Sequence, residues 1–117
     1  MTRQSFLIVT GRYKNVIQIR RVNGYKYDLI GPDGYQMTFG IFFQKRGCWS
    51  AHELGTGIFV TYGPTREKAV ENAVSVADRI AEILKQADAH PDNHFNEYRK
   101  LISDRYKQEA EDQLRPF

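Results

Sequence analysis

The apolar residues change period once, at Gly63, and that switch divides the chain. Before it, short β-branched and aromatic runs alternate with Gly, Pro and Asn turn residues, which is strand punctuation. After it, Ala69, Ala73, Val76, Ala77, Ile80, Leu84 and Ala87 recur every three or four residues, and Val70, Val74 and Ile83 widen the stripe. That is the spacing of a helix with one apolar face. Strands that all precede helices specify an α+β fold rather than a βαβ alternation. The expected architecture is a curled antiparallel meander of about five to six strands. It spans residues 1–63 and packs on one long amphipathic helix over 64–89. A second, C-terminal helix follows over 92–114. All of this fits one domain, 1–117.

The expected strands follow the runs. Phe6–Val9 and Val16–Ile19 are short and apolar. Asn23-Gly24 between β-branched runs predicts a hairpin turn. Tyr25, Tyr27 and Leu29 then alternate with Lys26 and Asp28. Gly31-Pro32-Asp33-Gly34 is a turn, with Gly34 free to take a positive φ. Tyr35–Phe43 is a strand with Gly40 as a candidate bulge. Lys45-Arg46-Gly47 turns into a strand over Cys48–Leu54. Gly55-Thr56-Gly57 turns into the last strand, where Ile58, Val60 and Tyr62 share a face. Thr65 is placed to cap the first helix, with Glu67 in its positively polarised first turn. Pro91 ends that helix. The stripe of the second helix (Phe95, Tyr98, Leu101, Ile102, Tyr106, Ala110) is narrower. It packs at the domain edge or on another molecule, which leaves a homodimer through this helix open.

Residue chemistry argues against catalysis, a metal site or a cofactor. Cys48 and His52 share a strand face about 13 Å apart, too far for a thiol and its base. The thiol reads instead as a small buried group beside Trp49. His52 and Glu53 point to opposite faces, so one of them should be exposed. His90 and His94 have zinc-binding spacing, but Pro91 takes His90 out of the helix and no further ligand completes the set. Gly55-Thr56-Gly57 lacks the lysine of a phosphate-binding loop. A single cysteine allows no internal disulfide. No apolar run nears the roughly 18 residues that cross a bilayer. Met1–Ser5 leads into no signal-like segment. The expected compartment is cytoplasmic.

The remaining signal is charge laid beside aromatic rings. Residues 1–63 carry eight Lys/Arg against three acids, while 64–117 carry nine against eleven, so a net +3 hides a basic sheet and a mixed helical half. The ring-rich half holds Tyr13, Tyr25, Tyr27, Tyr35, Phe39 and Trp49 among others. These rings exceed what one helix can cover. Rings and cations on an open sheet suit bases and phosphates. The candidate binding residues are Arg12, Lys14, Arg20, Arg21, Tyr25, Lys26, Tyr27, Lys45, Arg46 and Trp49. The expected function is non-enzymatic nucleic-acid binding. The alternative is recognition of an acidic protein partner, for which exposed Tyr, Trp and Arg are good anchors.

Two stretches carry a partial family resemblance confined to residues 43–84. They are Phe43-Gln44-Lys45-Arg46-Gly47-Cys48-Trp49-Ser50-Ala51-His52, and Ile58–Gly63 followed by Pro64-Thr65-Arg66-Glu67-Lys68-Ala69-Val70-Glu71-Asn72-Ala73. Together they resemble the β-β-β-α core of HicB-type antitoxins, where a strand ends in Gly-x-Thr and the helix opens Glu-x-Ala. The block is also similar to the C-terminal half of double-stranded-RNA-binding domains. Glu53-Leu54-Gly55-Thr56-Gly57 stands where HicB strands have Pro-Asp-x-Pro-Gly. The RNA-gripping lysine pair falls on Arg66 and Glu67, and the second has the wrong charge. The resemblance implies binding of a toxin or of nucleic acid. It also implies an antitoxin or host-defence inhibitor of the kind carried by phages and mobile elements.

Overall fold

The computed structural model describes residues 2–114; Met1 and 115–117 of the expected domain lie outside the described residues. Five strands form one antiparallel sheet in chain order: β1 Arg3–Tyr13, β2 Val16–Ile30, β3 Gln36–Lys45, β4 Cys48–Glu53 and β5 Phe59–Gly63. Helix α1 (Arg66–Ala89) and helix α2 (His94–Leu114) follow. The α+β meander followed by two helices is the fold that forms.

The first hairpin is not where the Asn-Gly signal puts it. Tyr13 pairs with Val16, and Lys14 and Asn15 both take positive φ, 48° and 64°. That is the backbone of a two-residue type I′ turn, whose twist matches the strands it joins. Asn23-Gly24 lies inside β2, so the two runs read as separate strands are one strand of 15 residues. Gly24 is there for room. A Cβ on it would strike the Ile41 carbonyl oxygen and come within 2.9 Å of Phe42 Cβ.

Bulges curl the sheet. Register shifts occur at Val9/Gly11, Phe43/Lys45 and Ala51/His52, but not at Gly40, which pairs in register with Lys26 and His52. Gly40 instead leaves space for the Phe6 ring and for Leu54, whose Cδ2 would lie 2.7 Å from an added Cβ. Each bulge bends its strand and increases its twist. The bulge opposite Ala51/His52 also overturns the expected common face of Val60 and Tyr62. Phe59 pairs with His52, Thr61 with Ala51 and Tyr62 with Ser50. Phe59 and Tyr62 therefore point one way, while Val60 packs with α1. The curl carries β1 round to the β4–β5 turn, where Val9 N–H donates to Gly57 O at 2.7 Å. The sheet stops short of closing.

Both helices cover the outer side of this curl. Ala69, Ala73, Ala77, Ala81 and Leu84 pack on Met37, Phe39, Ile41 and Ala51. Alanines let the helix axis lie close, and Gly63 permits its first turn to touch β5. Thr65 Oγ1 accepts from Lys68 N–H at 3.1 Å, the expected cap. Asn96 holds the helix corner by donating to Ala87 O and His90 O. The stripe of α2 lies on the chain's own hairpin. Ile102 is buried, Tyr106 Oη accepts from Leu7 N–H at 2.8 Å, and Glu109 binds Arg21 at 2.6 Å. The inner side of the curl makes its own core from Phe6, Ile8, Val22 and Phe42, with Leu54 against it. Because both faces are covered at β4, His52 and Glu53 are both buried, contrary to the expectation that one is exposed. Cys48 is half-buried, more open than expected, because it follows the Phe43/Lys45 bulge beside the exposed turn.

Two substitutions test this geometry. Gly24→Ala is expected to cost about 2 kcal/mol or more, because backbone rather than a pliable side chain blocks the new methyl. Asn15→Gly is expected to be neutral or to stabilise by up to about 1 kcal/mol, since glycine takes positive φ freely. Thermal unfolding followed by circular dichroism reads both. An unchanged midpoint for Gly24→Ala would show that residues 23–24 form an open turn.

Candidate nucleic-acid interface

The ten expected binding residues do not share a face. Strand parity puts Arg21, Tyr25, Tyr27 and Trp49 on the side the helices cover. There Arg21 donates to Glu109 and to Ser5 Oγ, and its guanidinium lies 5.6 Å from the Tyr106 ring centre. Tyr25 and Trp49 do come together, with ring centres 6.5 Å apart, and Phe43 stands edge-on to Trp49 at 5.6 Å. Arg66, which composition assigned to the helical half, lies 4.4 Å over Tyr25. Arg12 lies on the helix side near Tyr98, which is the main reason its pKa is raised. Lys45 and Arg46 are exposed at the β3–β4 turn.

Arg20, Lys26 and Lys14 are left on or beside the inner face. Lys26 lies toward the far end of β2, paired with Gly40. Lys14 sits at the hairpin tip with its Nζ 5.4 Å from the centre of the Tyr13 ring. Arg20 lines a cavity of about 340 Å³ at the hairpin end of the curl. Thr10 and Gln44 line it too, with Ile8, Phe42, His52 and Phe59.

This cavity is built round a row of rings. Phe6 meets Phe42 edge-on at 6.4 Å, Phe42 meets His52 at 5.4 Å, His52 meets Phe59 at 5.7 Å, and Phe59 stacks on Tyr62 at 6.5 Å and 23°. The row passes from full burial to solvent: Phe6 is enclosed, His52 is 3% exposed, Phe59 49% and Tyr62 62%. Sequence reasoning missed Phe59, Tyr62, His52 and Gln44. Alternation assigns Tyr62 to the opposite face, and no spacing rule shows a bulge of this kind. The weak available signal was a single His inside a strand, between Ala51 and Glu53.

His52 is held in one orientation. Gly57 O, which is only an acceptor, lies 2.9 Å from His52 Nδ1, so that nitrogen carries the proton. Nε2 is then the acceptor of a ring that lines the cavity. No buried side-chain nitrogen or oxygen among the described residues lacks a partner, which agrees with Nε2 opening on that space. Burial holds the imidazole below its usual pKa, and the Gly57 bond offsets only part of this. The ring is neutral at neutral pH. Arg20 is the only charged side chain among the residues lining the cavity. Elsewhere, no three His, Cys, Asp or Glu among the described residues gather as metal ligands. Among the described residues no helix is long and apolar enough to cross a membrane. Compared with protein-family models, curated proteins and solved structures, the chain matches none.

The lowered His52 pKa sets the sign of a pH effect. The unfolded chain takes up this proton near pH 6.5, and the folded chain resists it until lower pH. The contribution is therefore complete above about pH 6.5 and is lost as the pH falls through the folded pKa. The melting temperature is expected to fall between pH 7 and 5.5 more steeply in the native protein than in His52→Gln. Superimposable profiles would remove His52 as the cause.

Proposed function

We propose that this chain is a non-enzymatic module that binds single-stranded nucleic acid across the open, hairpin end of its curled sheet. The observation that carries this reading is the stacked, half-exposed pair Phe59 and Tyr62 on an edge strand, beside a cavity that Arg20 lines. Every base has a π-face, so such rings accept bases without regard to sequence, at about 1–3 kcal/mol per base. Tyr13, 65% exposed at the hairpin tip, extends the ring surface, and Lys14 beside it supplies a second cation for phosphate. Of the residues expected to bind, Arg20 and Lys14 keep that role. Arg21 is taken up by Glu109 and Ser5, and Tyr25 by Trp49 and Arg66.

The second reading, a protein-interaction module such as an antitoxin or an inhibitor of a host defence protein, draws on a different feature. A cleft of about 230 Å³ runs between β5 and the helix corner, lined by Ile58, Val60, Ile80, Ile83, Leu84 and Phe95 among others. Its walls are almost wholly apolar, which favours a hydrophobic side chain over a phosphate.

Fluorescence anisotropy with labelled 12-nucleotide strands separates the two. Single strands are expected to bind at low salt and to weaken as salt rises, with a log–log slope of about −0.7 to −1.4 for one or two phosphate contacts. Phe59→Ala and Tyr62→Ala should each weaken binding by about fivefold or more. Both rings are exposed enough for these variants to fold. No binding at 20–50 mM salt (on the order of the low end of the usual range), or binding indifferent to both variants, would defeat the proposal. A monomer–dimer shift in light scattering lost in Ile83→Glu would favour the protein reading.

A further inference from the structure

The row of rings passes through one polar ring, His52, and strand binding by stacking alone does not use it. His52 lines the cavity, Gly57 O sets its tautomer, and its Nε2 has no hydrogen-bond partner among the described residues. It can accept a hydrogen bond and cannot give one. Arg20 has the opposite character, since a guanidinium only donates. The Gln44 amide stands on β3 and can do either. The space between them is within the range of small-molecule sites. Phe42 and Phe59 flank His52, and Ile8 makes the wall apolar. The site is therefore shaped for a flat ring whose edge carries a donor next to an acceptor.

We infer that the His52 cavity takes one unstacked base with a lactam edge, a ring N–H beside a carbonyl, as in uracil, thymine and guanine. The inference rests on the strand-binding reading and deepens it. The ring N–H donates to His52 Nε2, and the neighbouring carbonyl accepts from Arg20. Adenine and cytosine lack that edge: beside their amino group stands a bare ring nitrogen, a weaker match for a guanidinium than a carbonyl with two lone pairs. Phe59 and Tyr62 then stack the bases that follow, so the strand enters over the exposed rings and leaves one base inside. A free nucleotide carries the same edge and is the other source of this ligand.

Anisotropy competition with oligo-dT, oligo-dI, oligo-dC and oligo-dA of equal length tests it, with uridine monophosphate as a separate competitor. The expected result is that dT and dI bind about tenfold tighter than dC and dA. That preference should collapse in His52→Phe, which keeps the ring and removes the acceptor. Arg20→Met, at an exposed position, should collapse it as well without risk to the fold. Weak competition by the mononucleotide identifies the strand as the ligand. Competition as strong as that of oligo-dT keeps the cavity assignment and overturns the strand reading. Equal binding of all four oligomers, still sensitive to Tyr62→Ala, overturns the cavity assignment and keeps the strand reading. No binding by strands or mononucleotide overturns both.

Discussion

One carbonyl oxygen holds the two ends of the sheet together. Gly57 O accepts from Val9 N–H on β1 and from His52 Nδ1–H on β4. Its position is set by the turn before it. Gly57 N–H donates to Glu53 O at 2.8 Å, and the buried Glu53 carboxylate accepts from Gly55 N–H, Thr56 N–H and Thr56 Oγ1. A buried carboxylate with three donors is a satisfied group and a rigid one. Gly57 itself sits at φ 73°, and a Cβ there would lie 2.8 Å from Ile102 Cδ1 and 3.0 Å from Val9 N. Only glycine lets β1, the turn and α2 meet at this point.

The rest of the molecule follows from that seam. With β1 pinned to the β4–β5 turn, the inner face is hidden in its middle, and Phe6, Ile8, Val22 and Phe42 form a core that needs no helix. Both helices are then free to pack on the outer face. The long second helix spends its stripe on the hairpin, where Tyr106, Ile102 and Glu109 hold Leu7, Gly57 and Arg21. The Arg21–Glu109 pair is partly exposed and contributes no more than about 1 kcal/mol. It fixes where α2 lies more than whether the domain folds.

The fold was legible because it depends on periods that are written locally. Thr65, the alanine stripe and Pro91 bound α1 in sequence and in space. What was not legible is where the strands curl. Asn23-Gly24 looks like a turn because the same glycine that relaxes a turn also lets two backbones approach, and the chain alone does not distinguish the uses. Lys14-Asn15 makes the real turn with an uncommon residue at positive φ, supported by ten paired positions along β1 and β2. The site suffered more than the fold. Arg20 and Arg21 are neighbours in sequence and lie on opposite sides of the sheet. The bulge against Ala51/His52 reversed the sense of Tyr62 relative to Val60. A one-residue shift exchanges the faces of everything beyond it.

The location of the candidate surface is a matter of lengths. A curl can enclose only as much strand as its width allows, and β1 and β2 outrun β4 and β5 by several residues. Their hairpin end therefore projects past the enclosed core, with one side on α2 and the other side open. At the opposite end the inner face runs out into Lys26, Asp28 and Thr38, where Thr38 already donates to Asp28. Polar residues there need no partner beyond water and one another. At the hairpin end Tyr13, Phe59 and Tyr62 remain exposed, and Phe59 also lines the cavity. Exposed rings gain nothing for folding that a threonine would not also supply on an edge strand. What singles this end out as the candidate surface is the set of exposed rings at an open part of the curl, not the net charge of the chain.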